Sequence, residues 1–96
     1  LKTIYGNKEK SELFQKVEDV IVDIFEIDRS IIKPESKLVE DLDFDSIDAI
    51  ELVLQLEDKY DAKISAEKLK SSKTVQDVVD YLYELLVEQD VSVTAG

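Results

Sequence analysis

Between Ser46 and Tyr60 the apolar residues outnumber what one helical face can use. At about 100° per residue, Ala49, Leu52, Val53, Leu56 and Tyr60 fall within about 60° of one direction and form a complete core stripe. Ile47, Ile50 and Leu54 point roughly 100 to 160° away from it, so the two sets cannot share one core. Any fold for this chain must bury the first stripe and find a use for the second.

The rest of the chain supplies the packing partners. Leu13, Val17, Val20 and Ile24 recur at helical spacing and predict a helix over 9–25, with Glu12, Glu18, Asp19 and Asp23 on its wet side. Pro34 disfavours helix at the residue before it, and Ser30 and Ser36 suit turns, so a long loop runs to Asp45. Leu38, Leu42 and Phe44 are expected to pin that loop to the core. Ser65 can cap a short helix to about Leu69. Thr74, with Asp77 three residues on, opens a last helix to about Val87 on the stripe Val75, Val78, Val79, Leu82 and Leu86. No alternating run is long enough for a strand. The prediction is an all-α fold, a small antiparallel bundle of three main helices plus one short helix, with a long loop between helices one and two. Residues 1–8 read as an N-terminal extension, 9–88 as the domain and 89–96 as a flexible tail.

Composition removes most functional classes. The 96 residues carry a net charge of −11, which argues against nucleic acid and favours a partner with a basic patch. Cys and His are both absent, so thiol chemistry and the commonest general base are excluded. No apolar run reaches the roughly 18 to 20 residues of a membrane span. The chain does not begin with Met, so a removed leader stays open.

From Glu40 to Asp61 there are nine acids and one base, Lys59. Their crowding is expected to raise some carboxylate pKa values, so that mild acidification and divalent ions stabilise the fold. A helix carrying that many carboxylates suits an exposed docking face better than burial on two sides.

One serine, Ser46, sits at the mouth of this helix. As a helix cap it would have an ordinary role. As a nucleophile it lacks a base: there is no His, no Ser-x-x-Lys spacing and no Gly-x-Ser-x-Gly. Asp41, Asp43 and Asp45 alternate as in a calcium loop, but Ser46 stands where Gly is needed and Leu52 where Glu is needed, so no metal is assigned. As a passive hydroxyl modified by another enzyme it needs no internal base, and a helix start favours a phosphodiester.

The stretch "EDLDFDSIDAIELVLQLEDKYDAKIS" resembles the signature of acyl carrier proteins, in which an Asp-Ser-Leu motif opens the second helix. "LFQKVEDVIVDIFEID" is similar to the family's first helix, "IKPESKLVEDL" to its long loop and "KTVQDVVDYLYELL" to its last helix. Ile47 replaces the usual Leu, and Asp43 stands where Gly is common. The resemblance implies that Ser46, beside Asp45, carries 4′-phosphopantetheine from coenzyme A. It implies a partner face of Ile47, Asp48, Ile50, Glu51, Leu54 and Glu57. It implies a non-enzymatic carrier of acyl thioesters, sheltered by Ala49, Leu52, Leu56, Val78 and Leu82. The implied partners are a phosphopantetheinyl transferase and fatty-acid synthesis enzymes and acyltransferases with basic patches, met by a cytoplasmic monomer, or one in an organelle lumen after leader removal. Service in polyketide or peptide synthesis, or an acidic interaction module without the group, are the alternatives.

Overall fold

The computed structural model describes the backbone of residues 2–89 and the side chains of residues 9–89. Four α-helices follow one another: α1 (Lys2–Phe25), α2 (Ser46–Tyr60), α3 (Ala66–Lys70) and α4 (Val75–Glu88), with a 3-10 turn at Arg29–Ile31. Among the described residues the only β pairing is an isolated antiparallel bridge between Lys37 and Thr74. The all-α bundle with three main helices and a short one is therefore the observed architecture. The helix expected from Glu9 begins instead at Lys2. Nothing in 2–8 forbids helix once a nucleus exists, since Gly6 costs only about 1 kcal/mol relative to Ala.

α1 packs against α4 and α2, and α3 packs against α2 and α4. The α2 stripe is the expected one: Ala49, Leu52, Val53, Leu56 and Tyr60 are all buried. So is that of α4, with Val75, Val78, Val79, Leu82 and Leu86. On α1 the stripe is corrected. Leu13, Val17 and Ile21 are fully buried, a straight row of i, i+4 steps, whereas Val20 and Ile24 lie at its margins. The helix ends at Phe25, whose ring meets Phe44 at 4.7 Å, so α1 closes onto the loop before Ile24 comes round to the core.

The long loop is tightly tied. Leu38, Leu42 and Phe44 are buried as expected. Buried Ser36 donates to the Ile31 carbonyl at 2.8 Å and accepts from Lys33 N–H at 2.9 Å. Val75 N–H donates to Ser36 O, Gln76 N–H to Pro34 O and Leu38 N–H to Lys73 O. The start of α4 is thereby fastened to the loop. At the far end, the Gln89 amide donates to Lys63 O and accepts from Lys63 N–H, so Gln89, expected as the first residue of a flexible tail, holds the α2–α3 connection. The remaining tail, 90–96, lies outside the described residues.

Among the described residues three non-glycine residues adopt positive φ: Glu26 (53°), Asp43 (59°) and Asp61 (51°). Asp61 is the C-terminal cap of α2. Asp43 occupies the position where the resemblance makes glycine common, and its left-handed backbone is the reason glycine suits it. A β-branched residue there meets the full steric cost, whereas glycine trades relief of strain against unfolded-state entropy. Asp43→Val is expected to lower stability by about 1 to 2 kcal/mol and Asp43→Gly to change it by less than about 0.5 kcal/mol. Equal urea midpoints for the two variants would contradict the left-handed assignment.

The carboxylate shifts that are resolved lie outside the stretch 40–61 and run downward. Asp77 is held below the usual value by hydrogen bonds from the Thr74 and Lys73 amides, and Asp28 by those from Ser30. A depressed folded pKa stabilises above the unfolded value of 3.8 and is lost as pH falls through the folded value. The contribution of these groups is therefore fully present at pH 5, acidification to that pH gains nothing from them, and the contribution is lost as pH falls below about 4. Asp77→Ala should lower stability by about 1 kcal/mol at pH 7 and by less at pH 3, measured by thermal melts. An unchanged penalty at pH 3 would mean the carboxylate charge is irrelevant. Among the described residues no three acids converge to hold a metal ion, so the expected advantage of divalent ions has no site behind it.

Candidate functional site

Asp45 sets up the mouth of α2. It is the N-cap, with extended backbone (φ −112°, ψ −173°), and its Oδ1 accepts from Asp48 N–H at 2.9 Å. Asp48 Oδ2 accepts from Asp45 N–H at 3.0 Å, closing a reciprocal capping box. Asp45 is therefore the cap and Ser46 the first helical residue, which answers the ordinary reading of the serine. Its hydroxyl is exposed and makes no hydrogen bond to any described residue. Both neighbouring carboxylates are engaged with backbone N–H groups, so neither is placed as a base for it.

Ser46 stands at the edge of an apolar cleft of about 370 Å³. Leu38, Val39 and Phe44 of the long loop form one wall, and Leu69, Lys70 and Ser72 the other, with Ala49 between them. Of the residues expected to shelter an acyl chain, Ala49 lines this cleft, and Leu52, Leu56, Val78 and Leu82 do not. These four are at most 1% exposed and fill a closed core, and only Ala49 of that set reaches the cleft. Sequence reasoning missed the α3 wall because a helix of five residues leaves no periodic signal of its own; its one fully buried residue is Leu69.

The second stripe of α2 is exposed. Ile47 is 73% exposed, Leu54 54% and Ile50 41%, which rules out burial on both sides. Glu51, half-buried, accepts from the Gln55 side chain at 3.4 Å. The other two acids expected on this face also serve the fold: Asp48 in the capping box, and Glu57 by accepting from Ile64 N–H at 2.9 Å. None of the ion pairs Lys10–Asp80, Arg29–Glu18, Arg29–Asp19 and Lys37–Glu40 draws on a carboxylate of α2, so this face keeps its negative field. Asp41, which alternates with Asp43 and Asp45, accepts from Lys37 N–H at 2.8 Å and so turns to its own loop.

Comparison with known proteins bears on the same region. The family described as "phosphopantetheine attachment site" matches residues 15–82. The chain is 42% identical over 73 residues to an acyl carrier protein of Lactobacillus acidophilus, covering 76% of this chain and 91% of that protein. It is 42% identical over 71 residues to an acyl carrier protein of Helicobacter hepaticus, covering 74% and 93%. The crystal structure of an acyl carrier protein from Thermotoga maritima superposes with a TM-score of 0.74 at 30% identity, over 85% of this chain and 95% of that one.

Proposed function

The chain belongs to the acyl carrier protein family, carriers of 4′-phosphopantetheine and not enzymes, and on that premise we propose that Ser46 is the attachment residue. The observation that carries this is the free, exposed hydroxyl at the first position of α2, left unused because Asp45 does the capping. The residues fit the group: an accessible oxygen, a helix start whose dipole favours a phosphodiester, and an apolar cleft alongside. When bound, the group supplies a terminal thiol that holds acyl cargo as a thioester, chemistry that a chain without Cys cannot supply itself.

In the loading step Ser46 Oγ forms the new bond to the pantetheine-side phosphorus of coenzyme A, and the pyrophosphate P–O bond breaks to release 3′,5′-ADP. The hydroxyl proton passes to a base of the transferase, because Asp45 and Asp48 are held in the capping box. Ile47, Ile50 and Leu54 supply apolar contact, and Asp48, Glu51 and Glu57 supply charge, to partners with basic patches. Those partners are the phosphopantetheinyl transferase and the enzymes and acyltransferases of fatty-acid or related lipid synthesis. The chain serves them as a cytoplasmic monomer through a domain spanning 9–88. Among the described residues no helix is long and apolar enough to cross a membrane.

Incubation of the chain with coenzyme A and a phosphopantetheinyl transferase should add one arm by intact mass, on the peptide containing Ser46. No gain in mass, or a gain on another peptide, would overturn the assignment. Transfer of malonyl groups to the loaded chain by a fatty-acid acyltransferase, with no loading by peptide-synthetase adenylation domains, would support fatty-acid service over peptide synthesis.

A further inference from the structure

The cleft beside Ser46 does not end at its apolar walls. Val39, Lys70 and Ser72 also line a second depression of about 410 Å³, completed by Lys37, Glu40 and Lys73. The two share an edge, so the apolar wall beside Ser46 continues into a patch of three lysines and one glutamate. On a chain of net charge −11 such a local excess of cations is against the trend.

The hydrogen-bond inventory of this annex selects what it can hold. The Ser71 and Ser72 hydroxyls both donate to the Lys68 carbonyl, at 2.8 and 3.2 Å. The amides of Lys37, Leu38, Ser71, Ser72 and Lys73 all donate within the protein. The amides of Val39 and Glu40, which line the annex too, donate to no described residue. Glu40 is paired with Lys37 at 3.2 Å, and Lys73 lies beside Asp77. Lys70 makes no ion pair with any described residue. The donors left over are the Val39 and Glu40 amides and the ammonium groups, and Lys70, a lysine without an ion pair, sits where the apolar cleft opens into the annex.

We propose that this annex takes the far end of an acyl cargo and that this end is a carboxylate, so the chain discriminates in favour of ω-carboxylated acyl groups over plain ones. The apolar cleft buries the methylenes, and Lys70, with Lys73 behind it, receives the charge. The proposal rests on the assignment of Ser46 as the attachment residue. Lys70 is a specificity residue and takes no part in the loading step.

The test uses the full chain loaded by a transferase from octanoyl-coenzyme A and from the coenzyme A monothioester of octanedioic acid. Thioester hydrolysis is followed by mass, and amide chemical shifts are followed at Leu38–Ala49 and Leu69–Lys73. The carboxylated cargo should hydrolyse about two- to fivefold more slowly than octanoyl at low salt, the range of one partly exposed ion pair. Its extra protection should fade with salt, and its shift changes should extend to Lys70 and Lys73. Lys70→Gln should erase the difference and leave octanoyl unaffected. Equal hydrolysis of the two cargoes, or a preference for octanoyl, would overturn the proposal, as would a difference that survives Lys70→Gln. Failure of the chain to gain any arm would instead strike the Ser46 assignment, so the two failures are separable.

Discussion

Ser46→Ala is expected to remove all mass gain in the presence of coenzyme A and transferase, while thermal stability moves by no more than about 0.5 kcal/mol, as for ordinary surface changes. Both halves follow from one arrangement. The hydroxyl at the mouth of α2 is exposed and has no partner among the described residues, and no second hydroxyl stands beside it in the motif to replace it when it is deleted. Nothing in the fold leans on it either, because Asp45 and Asp48 hold the helix start. Asp45→Ala should behave in the opposite sense for stability. It removes the cap and is expected to lower stability by about 1 kcal/mol, or about 4 to 8 °C in Tm for a domain of this size. Its Ser46 hydroxyl remains, so loading continues. If Ser46→Ala is still modified, the attachment residue lies elsewhere. If it melts like Asp45→Ala, the serine shares the capping load.

The second large effect separates the two stripes of α2. Leu52 is fully buried, and Leu52→Ala should lower stability by about 2 to 5 kcal/mol through lost burial and the cavity left behind. A small domain has about 5 to 15 kcal/mol in all, so this variant should be partly unfolded under mild denaturant. Leu54, two residues on, is 54% exposed. Leu54→Ala should leave the urea midpoint nearly unchanged and weaken the binding of the transferase about tenfold, the effect of losing an apolar contact of 1.4 kcal/mol at a docking face. Glu51→Lys should weaken the same complex and flatten its salt dependence. A loss of several kcal/mol on Leu54→Ala would show that the outer stripe is core. Unchanged transferase affinity would show that it is not the docking face.

The two stripes were legible because α2 obeys a single period over fifteen residues, so counting at 100° per residue assigns every apolar side chain. The capping box of α4 was legible for the same kind of reason: Thr74 and Asp77 interact at a fixed short spacing. The cap of α2 was less so. Asp45 and Ser46 are adjacent and both favoured at that position, and only the backbone angles of Asp45 decide between them. The ends of α1 at Phe25 and α2 at Tyr60 were legible although the chain stops them with Glu26 and Asp61 in left-handed conformation, where the usual signal is glycine; the start of α1 at Lys2 was not. The cleft was hidden for a topological reason. Its walls come from residues 38–49 and 69–72, and no sequence period links them. Gln89 reaches Lys63 across 26 positions, which is likewise invisible to local patterns.

The bond from Leu38 N–H to the Lys73 carbonyl, at 2.9 Å, joins the loop to the segment just beyond α3 at the foot of the cleft. Together with the Lys37–Thr74 bridge and the Val75 and Gln76 amides, it makes the loop and the start of α4 one rigid jaw. The opposite jaw is α3, five residues long and held to its surroundings through the Ser65–Tyr81, Ile64–Glu57 and Lys63–Gln89 contacts. Any movement of α3 away from the loop strains these contacts at 63–65 first. Amide exchange should record this asymmetry: slow at Leu38, Val75 and Gln76, and faster at Ile64, Ser65 and Lys68. If cargo lodges in this cleft, its exchange is expected to respond to the three side-chain tethers of a one-turn helix, so Tyr81→Phe or Gln89→Ala should change how fast the carrier hands its load over.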